Sequence, residues 1–355
     1  MGRTVIAEKK KSLKKQIKEH SKSKPEKIKK DGDYGGNKEL ITLTGSTDLD
    51  LAISGGVIRG GGIPAGILFE VFGPNSSGKT VLLMEIAGNI QRKGGDSIYN
   101  DPEARLNSKF AKQFDFDTSK TQLNEPDTVT EVFAIINKWQ PKNTTAVHGV
   151  FTDSLAALST NLEMDNEDGD KMGMRRAKEF SEGLRKSCRL IKKKNYIMGC
   201  SNQMRENNAT HGEKFSVPGG KAVGFYASLR LRFFSPEKIK SKEKQIGKKK
   251  VVKVIGTKVR VEIYKNSCDV AWGSAVLYLI NGYGIDDVRA NLQYIKDYTK
   301  ETQYTVNGNR VGVSMDEAIQ WVEKHNLEDE LKDEVIDLWE AIEKKFEITR
   351  KKKKR

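Results

Sequence analysis

The sequence predicts an α/β protein with a mainly parallel sheet, an antiparallel extension and helices on both faces. Three observations predict it. From residue 67 to about 201, short apolar runs alternate with helical patterns, the order that parallel strands and crossover helices require. The first of these units places Gly73-Pro74-Asn75-Ser76-Ser77-Gly78-Lys79-Thr80 between a strand and a helix, and this run fits the phosphate-loop pattern G-x-x-x-x-G-K-[ST]. Farther on, 228–234 and 251–264 alternate apolar and polar residues with period two, as the two arms of a hairpin do.

The elements follow in order. Ile67-Leu68-Phe69-Glu70-Val71-Phe72 reads as a buried strand and 81–87 as a helix with apolar residues at mixed three and four spacing. Next come a strand at 96–101, helices around 103–114 and 128–139, and a very apolar strand at 146–153. A long helix around 173–194 and a strand at 195–201 complete the alternation. A glycine-bearing stretch, 204–220, precedes a strand predicted over 225–233, and the hairpin that follows has a lysine-rich tip at 236–250. From about 284 the pattern becomes helical, with amphipathic candidates at Met315–Lys324 and Glu328–Phe346. The expected division is a basic N-terminal element and linker at 1–39, a core at 40–283, a small C-terminal α/β domain at 284–350 and a basic tail at 351–355.

With 355 residues and 36% hydrophobic content, the chain can bury a sizeable core. It shows no apolar run long enough for a membrane helix and no signal-peptide core, so a cytoplasmic protein without a membrane partner is expected. Three cysteines without C-x-x-C spacing and four histidines without H-E-x-x-H predict neither a disulfide frame nor a zinc site. The net charge of +15 is unevenly placed. Residues 1–30 hold 12 Lys/Arg against 3 Glu, the last five residues are all basic, and 236–260 holds 10 Lys/Arg against 2 Glu. The remainder is net acidic by about seven charges, so three basic elements sit on an acidic body. Such elements suit polyanion contact, or are solvated tails.

The phosphate loop assigns chemistry to its own residues. Backbone N–H groups of 73–80 and the helix start can wrap a polyphosphate, Lys79 can reach the β- and γ-phosphates of ATP, and the Thr80 hydroxyl can ligate Mg²⁺. The strand ending at Thr152-Asp153 offers the carboxylate that steadies Mg²⁺ through its water shell, or a helix N-cap. Glu103, after a second short strand, can accept a hydrogen bond from an attacking water, or is ordinary first-turn charge.

Five segments taken together resemble the RecA family of homologous-recombination ATPases: the phosphate loop, Asp101-Pro102-Glu103, Asp153-Ser154-Leu155-Ala156-Ala157-Leu158, Ser201-Asn202-Gln203-Met204-Arg205 and Gly219-Gly220-Lys221-Ala222-Val223-Gly224-Phe225-Tyr226-Ala227-Ser228. The likeness runs from about 41 to about 325 and is that of a divergent, phage-type member. It implies a RecA-like ATPase core, filaments on single-stranded DNA in the presence of ATP, homologous pairing with double-stranded DNA, strand exchange and DNA-stimulated hydrolysis. Glu103 would position the hydrolytic water, Gln203 would sense the γ-phosphate and Phe110 would stack on adenine. Lys265 would reach the ATP of the neighbouring subunit in a helical homo-oligomer. Met172 would wedge between base triplets. Arg175, Arg176, Ser181 and Arg185, with Arg205, Gly219 and Gly220, would contact DNA. Two departures stand out: Ser267 replaces a second lysine and Gly224 a basic residue. A potassium ion held by Asp269 is one way to supply the charge missing at Ser267. A RecA-fold helicase or accessory ATPase, and a DNA-coating scaffold with weak ATPase, are the rival readings; strand exchange without unwinding separates the first, and turnover on single-stranded DNA the second.

Overall fold

The computed structural model describes residues 35–142, 145–161, 172–206, 215–216, 221–299 and 301–350. The N-terminal element through residue 34 and the basic tail lie outside the described residues. Strand β1 (Asn37–Thr42) pairs antiparallel with β2 (Ile63–Ala65), so among the described residues regular structure starts within the stretch expected to be linker. Between them α1 (Thr47–Ser54) begins at Ser46, whose hydroxyl accepts from the Leu49 N–H.

Strand β3 (Leu68–Gly73) is buried throughout and feeds the phosphate loop, after which α2 (Lys79–Arg92) starts. There follow β4 (Ser97–Asn100), α3 (Ser108–Ala111), β5 (Gln122–Asn124), α4 (Val129–Lys138) and β6 (His148–Thr152). Helix α5 (Met172–Lys194) leads into β7 (Tyr196–Gln203), the short pair β8 (Arg205–Glu206) and β9 (Phe215–Ser216), then α6 (Lys221–Tyr226) and β10 (Leu229–Phe233). Strands β11 (Glu237–Lys240), β12 (Lys244–Ile246), β13 (Lys249–Val251), β14 (Val254–Asn266), β15 (Ser274–Ile280) and β16 (Gly284–Ile285) complete the main body. The C-terminal unit comprises α7 (Asp287–Thr299), the hairpin β17 (Tyr304–Val306) and β18 (Asn309–Gly312), α8 (Met315–His325) and α9 (Glu328–Phe346).

The central sheet runs β16-β15-β14-β10-β3-β7-β6-β4-β5, with β11 also on β14. From β10 to β5 every pairing is parallel, and β14 to β16 extend it antiparallel. This is the mainly parallel sheet with an antiparallel extension that the alternation predicts. Period two divides its side chains: Phe69 and Val71 face a core with α1 and α2, while Leu68, Val150 and Met198 face a second core with α4, α5 and α6. A third cluster is built from α7, β17–β18, α8 and α9, and Leu51 of α1 plugs into it. Arg59 ties α9 to the body through Asp337 and Glu340 at 2.7 and 2.8 Å.

Several expected elements differ. The helix around 103–114 is reduced to α3 and one 3-10 turn at 112–114. Ala104 takes a left-handed φ of 50°, and the Asp101 carboxylate accepts the Leu106 N–H at 2.6 Å, closing an irregular loop where helical bonds would begin. The strand predicted over 225–233 starts only at Leu229, because Phe225 and Tyr226 end α6; the Ala227 N–H still bonds to Val223 O, and Tyr226 packs beside Ala222 on the second core. The lysine-rich tip is itself folded, with β11 on β14 and β12 on β13.

Candidate functional site

Four parallel strands deliver their carboxyl ends to one edge of the sheet. There β3 gives the phosphate loop, β4 gives Asp101 and Glu103, β6 gives Asp153, and β7 gives Gln203. Ligands of open α/β sheets bind at this edge. A cavity of about 500 Å³ lies there, and Lys79, Thr80, Glu103, Arg105, Asp153 and Gln203 all line it.

The loop backbone sets the shape. Ser76 and Gly78 have φ of 56° and 96°, so successive N–H groups turn toward one concavity, which suits an anion. The left-handed dihedral at Gly78 favours glycine, and a Cβ there would also displace the Leu279 side chain, whose Cδ1 would lie 2.3 Å away. Lys79 folds back on its own loop, its Nζ donating to Gly73 O at 3.2 Å and Pro74 O at 2.6 Å. Burial holds its pKa below the ordinary lysine value, while Asp153 and Glu103 pull the other way. A buried ammonium facing two carboxylates and a ring of N–H donors is a receptor for phosphate oxygens.

Asp153 is fixed from two sides: the Tyr99 hydroxyl donates to Oδ2 at 3.1 Å, and the Ser201 hydroxyl donates to Oδ1. Burial beside that carboxylate raises the Tyr99 pKa well above its usual value, so the phenol stays a donor. Thr152, the polar residue within the apolar strand, is buried and receives Asn100 Nδ2 at 3.3 Å. Ser154 Oγ donates to Glu103 Oε1 at 2.8 Å, and Arg105 Nη1 lies 2.6 Å from Glu103 Oε2. Gln203 ends β7 next to the loop, for the neighbouring Met204 N–H bonds to Gly73 O at 3.2 Å.

A second cavity, about 360 Å³, opens on the other side of the loop between Phe110, Phe114 and the β15–β16 turn with Asn281, Gly282 and Gly284. Phe110 lines both cavities and meets Phe114 edge-on, ring centroids 4.9 Å apart. Below the turn, Glu85 of α2 accepts the Ile285 N–H at 3.0 Å, and burial lifts its pKa to about 7. The sequence reading did not pick out this turn; the Asn281-Gly282-Tyr283-Gly284 run was its signal.

Lys265 lines neither of these cavities. Its Nζ donates to Gly224 O and Phe225 O at 2.9 and 3.0 Å, capping the end of α6. Close by, Arg230 bonds Glu70 at 2.6 Å, stacks on Phe72 and Tyr264, and brings its Cζ within 3.0 Å of where a Gly224 Cβ would stand. The sequence reading has β10 as an ordinary half-exposed strand and does not foresee this pair, in which Glu70 is buried and Arg230 half-buried. Asp269 accepts from the Gly56 N–H through Oδ2 and from the Val270 N–H through Oδ1, each at 2.8 Å.

On α5, Phe180, Leu184, Ser187 and Ile191 form the buried face, while Arg175, Lys178, Arg185, Lys186 and Arg189 are exposed. Arg176 is half-buried and stands roughly half a turn from Arg185 on a 3.6-residue helix, so the two do not share a face. Ser181 is also half-buried. Gly219, Gly220, most of the two expected DNA loops, and the side chains of Met172 and Arg205 lie outside the described residues.

Fold and site define a phosphate-loop α/β protein whose nucleotide edge is assembled from four strand ends. The RecA N-terminal domain family matches residues 11–277. The chain is similar to Protein RecA of Delftia acidovorans, at 31% identity over 84% of this chain and 78% of that protein. Similarity to Protein RecA of Teredinibacter turnerae is 30% over 88% and 91%, and to that of Thermus thermophilus 33% over 70% and 69%. The chain belongs to the RecA family. Among the described residues, no helix is long and apolar enough to cross a membrane.

Proposed function

We propose that the protein is an ATP-dependent DNA recombinase that forms filaments on single-stranded DNA and exchanges strands with homologous duplex, hydrolysing ATP as it does so. The observation that carries this reading is the convergence of Lys79, Thr80, Glu103, Asp153 and Gln203 on one cavity in a RecA-family chain.

On this reading the 73–80 N–H groups receive the polyphosphate, and Lys79 exchanges the Gly73 and Pro74 carbonyls for β- and γ-phosphate oxygens. Thr80 would hold Mg²⁺ directly and Asp153 through water; both line the cavity, and the Tyr99 and Ser201 hydroxyls already fix the Asp153 carboxylate. When bound, the ion neutralises charge developing on the phosphate oxygens. Glu103 accepts a hydrogen bond from the attacking water. The water oxygen forms a bond to the γ-phosphorus as the bond from that atom to the β,γ-bridging oxygen breaks; ADP keeps the electron pair, and the water proton departs toward Glu103. Gln203 meets the γ-phosphate and relays its presence to 204–218. Phe110 and the β15–β16 turn enclose the base.

Lys265 serves the neighbouring subunit, a role supported by its place at the end of α6, away from the two cavities beside its own phosphate loop. Arg175 and Arg185 carry DNA phosphate on the exposed face of α5. A potassium ion beside Ser267 would need Asp269, whose two oxygens each also accept a backbone N–H. Replacing potassium by sodium at constant ionic strength checks it: an unchanged hydrolysis rate removes the ion from the mechanism. The whole reading is tested by measuring ATP turnover with and without single-stranded DNA, strand exchange with homologous duplex, and filaments by negative stain with AMP-PNP. Turnover indifferent to DNA together with absent filaments would overturn it.

A further inference from the structure

Arg105 is the unexplained cation of the cavity. It lines the space that Lys79, Thr80 and Asp153 line, yet its side chain is 79% exposed and its guanidinium rests on one oxygen of Glu103. Ser154 takes the other oxygen. With the guanidinium on one oxygen and the Ser154 hydroxyl on the other, an attacking water has to share either oxygen with a donor already in place.

The base of the side chain is fixed, whereas its head lies exposed on Glu103. Asp101 O accepts the Ala104 N–H and the Asp101 carboxylate accepts the Leu106 N–H, so the loop on either side of Arg105 is pinned to one residue. The guanidinium end of this pair is open to solvent, which screens its attraction to the more buried Glu103 carboxylate. A terminal phosphate in the cavity offers more charge than a carboxylate and a set of oxygens that matches the planar fork of a guanidinium.

We propose that Arg105 is a catalytic residue of this site, which leaves Glu103 for the γ-phosphate of ATP bound to the same chain and thereby frees the Glu103 oxygen that receives the attacking water. It rests on the ATP-hydrolysis reading above. One swing has two effects: positive charge arrives where the transferred phosphoryl group gathers negative charge, and the water-orienting carboxylate is released only when a γ-phosphate is present. ADP, which lacks that group, leaves the Arg105–Glu103 pair intact. The covalent step is the one already written, with water as nucleophile and ADP as leaving group; Arg105 exchanges no proton or electron pair.

The test uses the full-length protein, wild type, Arg105→Ala and Arg105→Lys, with Glu103→Gln as control. Affinities for ADP and for AMP-PNP and turnover on saturating single-stranded DNA are measured. Arg105→Ala should bind ADP within about 2-fold of wild type but AMP-PNP about 10-fold more weakly, since only the latter presents the γ-phosphate contact. Turnover should fall by about 100-fold or more, as when a charge that stabilises a transferring phosphoryl group is removed, and Arg105→Lys should restore part of it. Equal weakening of ADP and AMP-PNP would make Arg105 structural and overturn the proposal. So would faster turnover in Arg105→Ala, which would leave it a mere lock on Glu103, or affinities and turnover that match wild type. If wild type hydrolyses ATP and Glu103→Gln does not, a normal Arg105→Ala defeats this inference alone; a wild type that neither binds AMP-PNP nor hydrolyses ATP defeats the parent reading and this inference with it.

Discussion

Glu103 and Lys79 line the same cavity, but their losses should have different signatures. Glu103 is placed to orient water, so Glu103→Gln should retain nucleotide and form persistent filaments on DNA while turnover drops by about two orders of magnitude. Lys79→Ala should instead lose nucleotide affinity. Equilibrium binding and steady-state turnover on both variants check this, and wild-type turnover in Glu103→Gln would remove the carboxylate from the mechanism. Asp50 shows a different residue-scale effect. Its carboxylate is buried, accepts the Thr44 N–H at 2.8 Å, and has its pKa raised by that burial to about 7. Between the unfolded value near 3.8 and the folded value, the native state keeps a proton that the unfolded chain has lost. Stability therefore declines as pH rises through that window and levels off above it. Asp48, raised by burial to about 6, and Glu85 act in the same direction. Asp50→Asn should flatten the fall in Tm between pH 4.5 and 8, gaining on the order of 2–4 kcal/mol over wild type at the upper end. A decline as steep as wild type would mean that Asp50 is not held protonated.

Helix α5 joins packing and charge within one element. Gly183 lets it approach α4, since a Cβ there would lie 2.0 Å from the Phe133 ring. Phe133 also meets Phe180 edge-on, with centroids 6.3 Å apart. Gly183→Ala should destabilise the protein by roughly 1–3 kcal/mol through overpacking, despite the helix propensity of alanine. Chemical denaturation checks it; a stabilised variant would show that Phe133 can yield. The opposite face carries Arg175 and Arg185. Arg185→Ala should weaken single-strand binding equally on all sequences and lower the slope of log affinity against log salt by about 0.7, the share of one neutralised phosphate. Arg176→Ala should leave the slope unchanged, because that residue stands beside the packed face. Equal slopes for Arg185→Ala and wild type would assign that arginine to solvent.

At the scale of the molecule, hydrolysis on the proposed reading needs an assembly. One chain holds the phosphate loop, and its own Lys265 sits on the end of α6, outside the nucleotide cavity. If Lys265 acts across a subunit boundary, Lys79→Ala and Lys265→Ala should each be inactive alone yet recover measurable turnover when mixed on single-stranded DNA. In a mixed filament some boundaries pair an intact loop with an intact Lys265. Recovery well below a quarter of wild type would still be informative, whereas no recovery at any mixing ratio would place Lys265 within its own chain's chemistry or outside it altogether.

The sequence by itself determined the parallel sheet, the phosphate loop and the strand end at Asp153, because each depends on local patterning: strands alternating with helices, glycine spacing and a polar residue closing an apolar run; Gln203 came only with the resemblance to the RecA family, two residues beyond the predicted strand. It also placed Glu103, though within an expected helix that does not form. Only the tertiary structure decided that this segment is a loop, since the Asp101 carboxylate competes there with helical bonding. Long-range contact also decided what surrounds the site, with the turn from Gly282 to Gly284 beside Phe110 and the Ser201 and Tyr99 hydroxyls on Asp153, while the path of the 101–106 loop laid Arg105 on Glu103. Those pairings join residues whose partners are set by strand order and by a loop's path, and neither leaves a periodic trace along the chain.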